Sequence, residues 1–446
     1  MARRLSFILA MMLVIAACTG DGGSTTTSAE GVVTTTSGPD AATTTTTTPG
    51  EGVTTTTSAV VTTTAPDLSG LEGVSEQVRT QLEELIRVTQ EIRELPFLTP
   101  PVISVVTEDE LEARVREDLI EDPEEFAADE ALYKTLGLLN EAADFEQLLL
   151  DLYGEQVAGF YDGETGEIVV PAREDGFSVL QQGTMVHELV HALTDQHFSF
   201  HEAFQAMIDE DRLDEASAYQ ALIEGDATLA EVLWAQNLSQ RDLGEFIAES
   251  LEVDTESLNS APRFVRESLL FPYDTGLGFT QELYVGESGW GEVNEAYDVL
   301  AGLPGSTEQV ITPDDYRRDL PVAVDMPTVD VAGYELERTS VWGEQGFRLL
   351  LNQGEGAETV ATAADGWGGD SYHQWFDGEN AAVLIVYEGD TQTDLDELER
   401  ALLAFAQQDF PEDHFAWVEE RDGNLYFIAA DVPETGEQIR AALGLD

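Results

Sequence analysis

The residues best suited to chemistry lie in Met185-Val186-His187-Glu188-Leu189-Val190-His191, an HExxH sequence. Two histidines four apart on a helix share a face, so both imidazoles can reach one metal ion. Glu188, beside the first histidine, stands where it can take a proton from a water activated by that metal. The spacing therefore implies metal-assisted hydrolysis. A purely structural metal site would have no use for a general base at position 188.

Two histidines leave such an ion short of a protein ligand, and two residues compete for the place. Glu224 lies on a helix predicted from Arg212 to Gln236. Ala218, Leu222, Leu229 and Leu233 form its apolar face, and Ser217, Gln220, Ala221, Glu224, Thr228 and Glu231 the other. Asp226 points toward the apolar face and is expected to bridge structure. The rival is His197, in the run His187-Glu188-x-x-His191-x-x-Thr194-x-x-His197. The chain would have to leave the helix sharply at Thr194, which a β-branched residue resists. Ala192 to Gln196 reads instead as continuing helix, carrying His197 off the ligand face. Glu224 is the first choice and His197 the alternative. His201 is expected at the surface.

With Glu224 on a downstream helix, the chain resembles the gluzincin group of metallopeptidases. The resemblance implies an α+β, zincin-like metallopeptidase domain, Zn2+ as cofactor and a peptide or protein substrate. It also implies His187, His191 and Glu224 as metal ligands and Glu188 as catalytic base. Thr228 stands where that group often has Asp or a small residue. The His197 alternative matches the metzincin spacing at all three ligand positions, but has Thr194 where metzincins use glycine. Neither Met207 nor Met326 sits in a recognisable Met-turn. A donor to the tetrahedral oxyanion is expected, and Tyr273, Tyr316, Tyr372 and His373 are its candidates. Two other readings stand beside the peptidase: a non-catalytic lipoprotein with a zinc site that is structural or serves peptide binding, and a zinc hydrolase of a non-peptide amide.

Further stretches resemble a group of bacterial exported HExxH proteins, over roughly residues 95 to 405. They are His191-Ala192-Leu193 with Asp195-Gln196-His197-Phe198, Glu224 to Thr228, Phe271-Pro272-Tyr273, Ser306 to Gln309 and Gly366 to Asp370. Thr312 stands where that group often has a histidine.

The elements that must position the motif can be read from periodicity and caps. Ser178 and Gln181 make a capping box for the motif helix. Its Val186, Leu189, Val190 and Leu193 form an apolar stripe, which leaves Thr184, His187, Glu188, His191 and Asp195 to line a cleft. Upstream, residues 74–94 have helical spacing, Val102 to Val106 forms a short strand, and Thr107 with Glu110 caps another helix. Helical pattern runs from Glu124 through Leu152. Two β-prone runs about Gly163 to Gly166 form a hairpin. By resemblance to other HExxH enzymes, it is a strand edge that pairs with substrate; an ordinary core hairpin is the alternative. Downstream, Gly366 to Asp370 reads as a loop over the cleft or a Gly-rich turn anchored by Trp367. Strand Ala381–Tyr387, helix Thr393–Gln407, a hairpin about Asp422-Gly423 and helix Thr435–Leu443 complete a small α+β unit.

Delivery is written in the first residues. Arg3 and Arg4 precede an uncharged apolar run from Phe7 to Ala17, too short to span a bilayer. Ile15-Ala16-Ala17-Cys18 resembles a lipobox, which implies lipid attachment at Cys18 and anchoring to the outer face of a membrane. Cys18 is the only cysteine, so the folded part carries no disulfide. Residues 19–66, rich in Thr, Ser, Gly and Ala, read as a disordered tether. The domain reading is thus residues 1–18 signal peptide, 19–66 tether, 67–335 metallopeptidase domain and 336–446 C-terminal region. The 446 residues carry 88 acidic against 20 basic side chains, a net charge of −68. That excludes nucleic acid as a partner, since phosphate binding needs clustered Lys and Arg, and fits a solvated coat on an exported protein.

Overall fold

The computed structural model describes residues 74–445, apart from short breaks at 120–122, 157, 173–175, 254, 353–356 and 409. Cys18, the signal peptide and the tether lie outside the described residues. Those residues form a mixed α+β structure of 16 helices and two small sheets. None of the described helices is long and apolar enough to cross a membrane.

Helix α1 (Glu76–Arg93) starts at Ser75, whose side chain accepts the Val78 N–H, and buries Val78, Leu82, Leu85 and Ile86. Strand β1 (Val102–Val106) follows, and Thr107 and Glu110 cap helix α2 (Glu108–Leu119) as the sequence predicts. The helical pattern from Glu124 to Leu152 is broken in two, α3 (Pro123–Thr135) and α4 (Phe145–Gln156). Between them Asn140 accepts the Ala142 N–H and Asp144 caps Gln147, so local side-chain acceptors replace the helical ladder. Strands β2 (Phe160–Asp162) and β3 (Glu167–Pro171) form the expected hairpin. β3 pairs parallel with β1, leaving β2 at the edge of a three-stranded sheet.

At the centre lies α5 (Val179–Phe198), which carries HExxH. Its capping box is present: Ser178 accepts the Gln181 N–H while the Gln181 side chain accepts the Ser178 N–H. Helix α6 (Phe200–Asp209) turns off it, and α7 (Leu213–Gln236) returns across it with Glu224. Helices α8 (Gln240–Ser250), α9 (Glu256–Ser260), α10 (Arg263–Tyr284), α11 (Trp290–Ala296) and α12 (Thr307–Ile311) complete the helical layer.

Strand β4 (Glu335–Ser340) opens a five-stranded antiparallel sheet, and α13 (Gly343–Leu351) and α14 (Ala357–Ala364) follow it. The Gly366–Asp370 stretch is not a loop over a cleft. Trp367 to Phe376 is strand β5, which pairs along β6 (Ala381–Gly389). Asp370 explains why: buried, it accepts the N–H groups of Trp342 and Gly343 and the Trp367 indole, pinning the strand to the start of α13. Helix α15 (Gln392–Gln408), hairpin β7 (Phe415–Arg421) and β8 (Asn424–Ala430), and helix α16 (Pro433–Leu443) finish the chain in the order β4-β5-β6-β8-β7. Alternation along β6 and β8 sorts the two faces of this sheet. Val383, Ile385, Phe427 and Ala429 join the core shared with the helical layer, while Leu384, Val386, Ile428 and Ala430 pack with Ile439 of α16.

Candidate metal centre

Helices α5 and α7 cross so that His187, His191 and Glu224 converge. His187 Nε2 lies 3.1 Å and His191 Nε2 3.4 Å from the same Glu224 Oε2, and the three ligand atoms all sit within 4.8 Å of one another. All three residues are buried. Tetrahedral ligand atoms around an ion with bonds of about 2.1 Å stand about 3.4 Å apart, so the two N–O separations match the edges of such a site. Glu224 Oε1 and the Nδ1 atoms of both histidines are buried without a hydrogen bond. Two imidazole nitrogens and a carboxylate oxygen converging in a buried place fit a divalent cation. Among the described residues, no other group of His, Cys, Asp and Glu has this geometry.

Electrostatics within the cluster follow from burial and from its own charges. Burial pushes the His187 imidazolium down, but its hydrogen bond to Glu224 and the nearby carboxylates outweigh this and lift it to about 10. Burial raises Glu224, and the two imidazoles more than reverse that, holding it below the usual carboxylate range. Burial pushes Glu188 up to about 7 against the pull of both histidines. Its Oε2 has no hydrogen-bond partner, while the Tyr161 backbone N–H of edge strand β2 faces its carboxylate. The hairpin thus touches the HExxH glutamate directly.

The sequence predicts a packed stripe and an open face on α5; instead, every residue from Gly183 to Thr194 is buried. The site face is covered by α7 and by α10, whose Tyr273 ring stacks on His187 at 6.1 Å and 28°. Phe200 closes on His191 from α6. His197 lies outside the cluster, bonded through Nε2 to the Pro96 carbonyl at 2.7 Å. His201 is half-buried over Gly163 of the hairpin turn rather than at the surface, its N–H held by Asp195. Of the four oxyanion-donor candidates, only Tyr273 is beside the cluster. Tyr316 donates to the Gly302 carbonyl, Tyr372 is buried near Arg338, and His373 pairs with Thr339 across β4.

Two features were placed only in part from sequence, Glu231 on the Glu224 face but with no partner, and Asp226 as a bridge but with no partner. Glu231, two turns beyond Glu224 on the same face, brings its carboxylate to 3.7 Å from His187 Nδ1. Its spacing of seven from Glu224 is the signal that marked it. The second is the clamp around Asp226, which bridges structure as expected, but through a partner 133 residues away. Arg93 meets it with Nε at 2.8 Å and Nη2 at 3.1 Å, and Tyr297 donates to it at 3.0 Å. Arg93 also reaches Asn294 and lies over the Trp290 ring. Both charges are fully buried, so the pair fixes α7 against α1 and α11 only two residues past Glu224. No family model, curated protein or solved structure matches the chain.

Proposed function

We propose that this chain is an exported, lipid-anchored zinc peptidase of the gluzincin type, built on a zincin-like arrangement of α5 and α7. The observation that carries the reading is the convergence of His187, His191 and Glu224 with an unpartnered Glu188 oxygen next to them. Two imidazoles and a carboxylate are a donor set that suits zinc and leaves a position open for chemistry.

A zinc ion held by these three residues would, when bound, make a water acidic and polarise a peptide carbonyl. Glu188 takes the proton from the attacking water and passes it to the leaving amine. Tyr273, beside His187, donates to the oxygen on which charge develops. The free side of β2 offers backbone groups to an extended peptide, next to Glu188. Cys18 would carry the lipid that keeps the enzyme at the outer membrane face.

Zinc content and peptide cleavage by wild type and Glu188→Gln test the proposal together. Zinc in both proteins with cleavage only by wild type supports it. Zinc in both with cleavage by neither, across a broad peptide library, overturns it.

A further inference from the structure

A histidine that binds metal through one ring nitrogen keeps a proton on the other, and the group facing that proton decides how firmly the ring is held. Here both Nε2 atoms converge on Glu224 Oε2, so the Nδ1 atoms are the ones left over. Both are buried, and a buried N–H calls for an acceptor. The two rings differ in what stands near. His191 pairs with Glu224 alone among the described residues. His187 has a second carboxylate, with Glu231 Oε2 at 3.7 Å from its Nδ1.

Sequence spacing and packing both put Glu231 there. It follows Glu224 by seven residues, two turns along the same face of α7, and Gly183 precedes His187 by four, one turn along α5. A Cβ on Gly183 would lie 2.9 Å from Glu231 Oε1, 3.0 Å from the Phe246 ring of α8 and 3.3 Å from Trp234. The glycine thus leaves the space that the carboxylate fills, beside a Trp234–Phe246 ring pair at 6.0 Å and 73°. The Glu231 side chain is only 15% exposed, and His187 is its one ion-pair partner among the described residues. Their separation exceeds the hydrogen-bond range by about 0.5 Å, a gap that rotation of the Glu231 side chain can close.

We propose that Glu231 is a positioning residue whose carboxylate accepts the Nδ1 proton of His187 and so fixes the tautomer and ring plane in which Nε2 faces the metal. It touches neither the metal nor the substrate. Gly183 belongs to the same device, because its missing side chain keeps the carboxylate against α5. The proposal rests on the metal-binding part of the proposed function and does not need peptide cleavage.

The test is the zinc affinity of the full chain, measured by competition with a chromophoric chelator, for wild type, Glu231→Ala, Glu231→Gln and Gly183→Ala. Glu231→Ala should bind zinc about 10- to 100-fold more weakly, the usual loss when such a partner is removed. Glu231→Gln, whose amide oxygen still accepts, should recover much of that loss. Gly183→Ala improves helix propensity but sets a methyl group against Glu231 Oε1, so it should weaken zinc binding with the carboxylate still present. Zinc-saturated protein with 15N-labelled histidine separates positioning from a merely structural role. The His187 Nδ1 proton should resist exchange with water in wild type and Glu231→Gln and exchange faster in Glu231→Ala, while the His191 signal stays the same in all three. Wild-type zinc affinity in Glu231→Ala, or a His187 proton equally protected with and without Glu231, overturns the proposal and leaves the peptidase reading standing. Zinc binding that depends on Glu231 in a protein that cuts no peptide does the reverse. A wild type that binds no zinc overturns both.

Discussion

Gly225 and Gly276 meet backbone to backbone where α7 crosses α10. A Cβ on Gly225 would lie 2.1 Å from the Gly276 carbonyl oxygen, and one on Gly276 would lie 2.1 Å from the carbonyl oxygen of Ala221. The crossing sits one residue past Glu224 and three past Tyr273, so it sets how closely Glu224 and the stacked tyrosine approach His187.

Gly225→Ala should therefore force the two helices apart. Overpacking of this kind costs about 1–3 kcal/mol, and here the displacement acts directly on Glu224. The expected outcome is a lower urea midpoint together with weaker zinc retention on dialysis. A variant with wild-type stability and full zinc content would show that the close crossing does not position the ligand.

Asp226→Ala leaves the Arg93 guanidinium buried without its counter-charge. Breaking one partner out of a buried ion pair costs about 3–5 kcal/mol, and urea unfolding should show a loss of that size. Because Asp226 makes no contact with the metal cluster, protein that remains folded should keep its zinc. Loss of zinc at full stability would place Asp226 at the metal instead.

Stability should fall as pH rises from 5 to 9. Burial raises Asp370 to about 6, Asp214 and Glu344 to about 7, and Glu308 to about 9. A carboxyl group whose folded value lies above its unfolded value binds its proton more tightly when folded. Its contribution is complete below the unfolded value near 4 and is lost as pH passes the folded one. Thermal melts at constant ionic strength should show a higher midpoint at pH 5 than at pH 8. Equal midpoints would mean that these groups ionise without cost. Glu308 carries the widest window, since four other carboxylates surround it: Glu344, Asp390, Asp319 and Asp315.

The third ligand is decided by metal analysis of Glu224→Ala beside His197→Ala. Wild type and His197→Ala should hold about one zinc ion per chain, as expected for a site of this donor set, and Glu224→Ala should hold far less. Full retention in Glu224→Ala with loss in His197→Ala would exchange the two assignments.

The motif helix, its capping box, the Glu224 helix and the hairpin were legible because their signals are local: period, cap chemistry and turn residues within one element. Asp226 could be assigned a bridging role from its place on the apolar face, but not its partner, since Arg93 approaches only after α1 folds against α7. The break between α3 and α4 was hidden because Asn140 and Asp144 compete with the helix through side-chain acceptors that leave no gap in the apolar pattern. The Gly366–Asp370 stretch misled for the opposite reason. Its glycines signal a turn, whereas tertiary pairing with β6 and the Asp370 hydrogen bonds make it a strand. The open face expected on α5 failed because period alone shows which residues differ, not what covers them. That information lies in α10, where Tyr273 sits over His187.

The most direct measurement is casein cleavage by zinc-loaded wild type and zinc-loaded Glu188→Gln, with zinc content determined on the same samples. The account predicts equal zinc in both and a fall in turnover of about 10²- to 10⁴-fold in the variant, the usual contribution of a general base. Undiminished cleavage by Glu188→Gln at full zinc occupancy would contradict it.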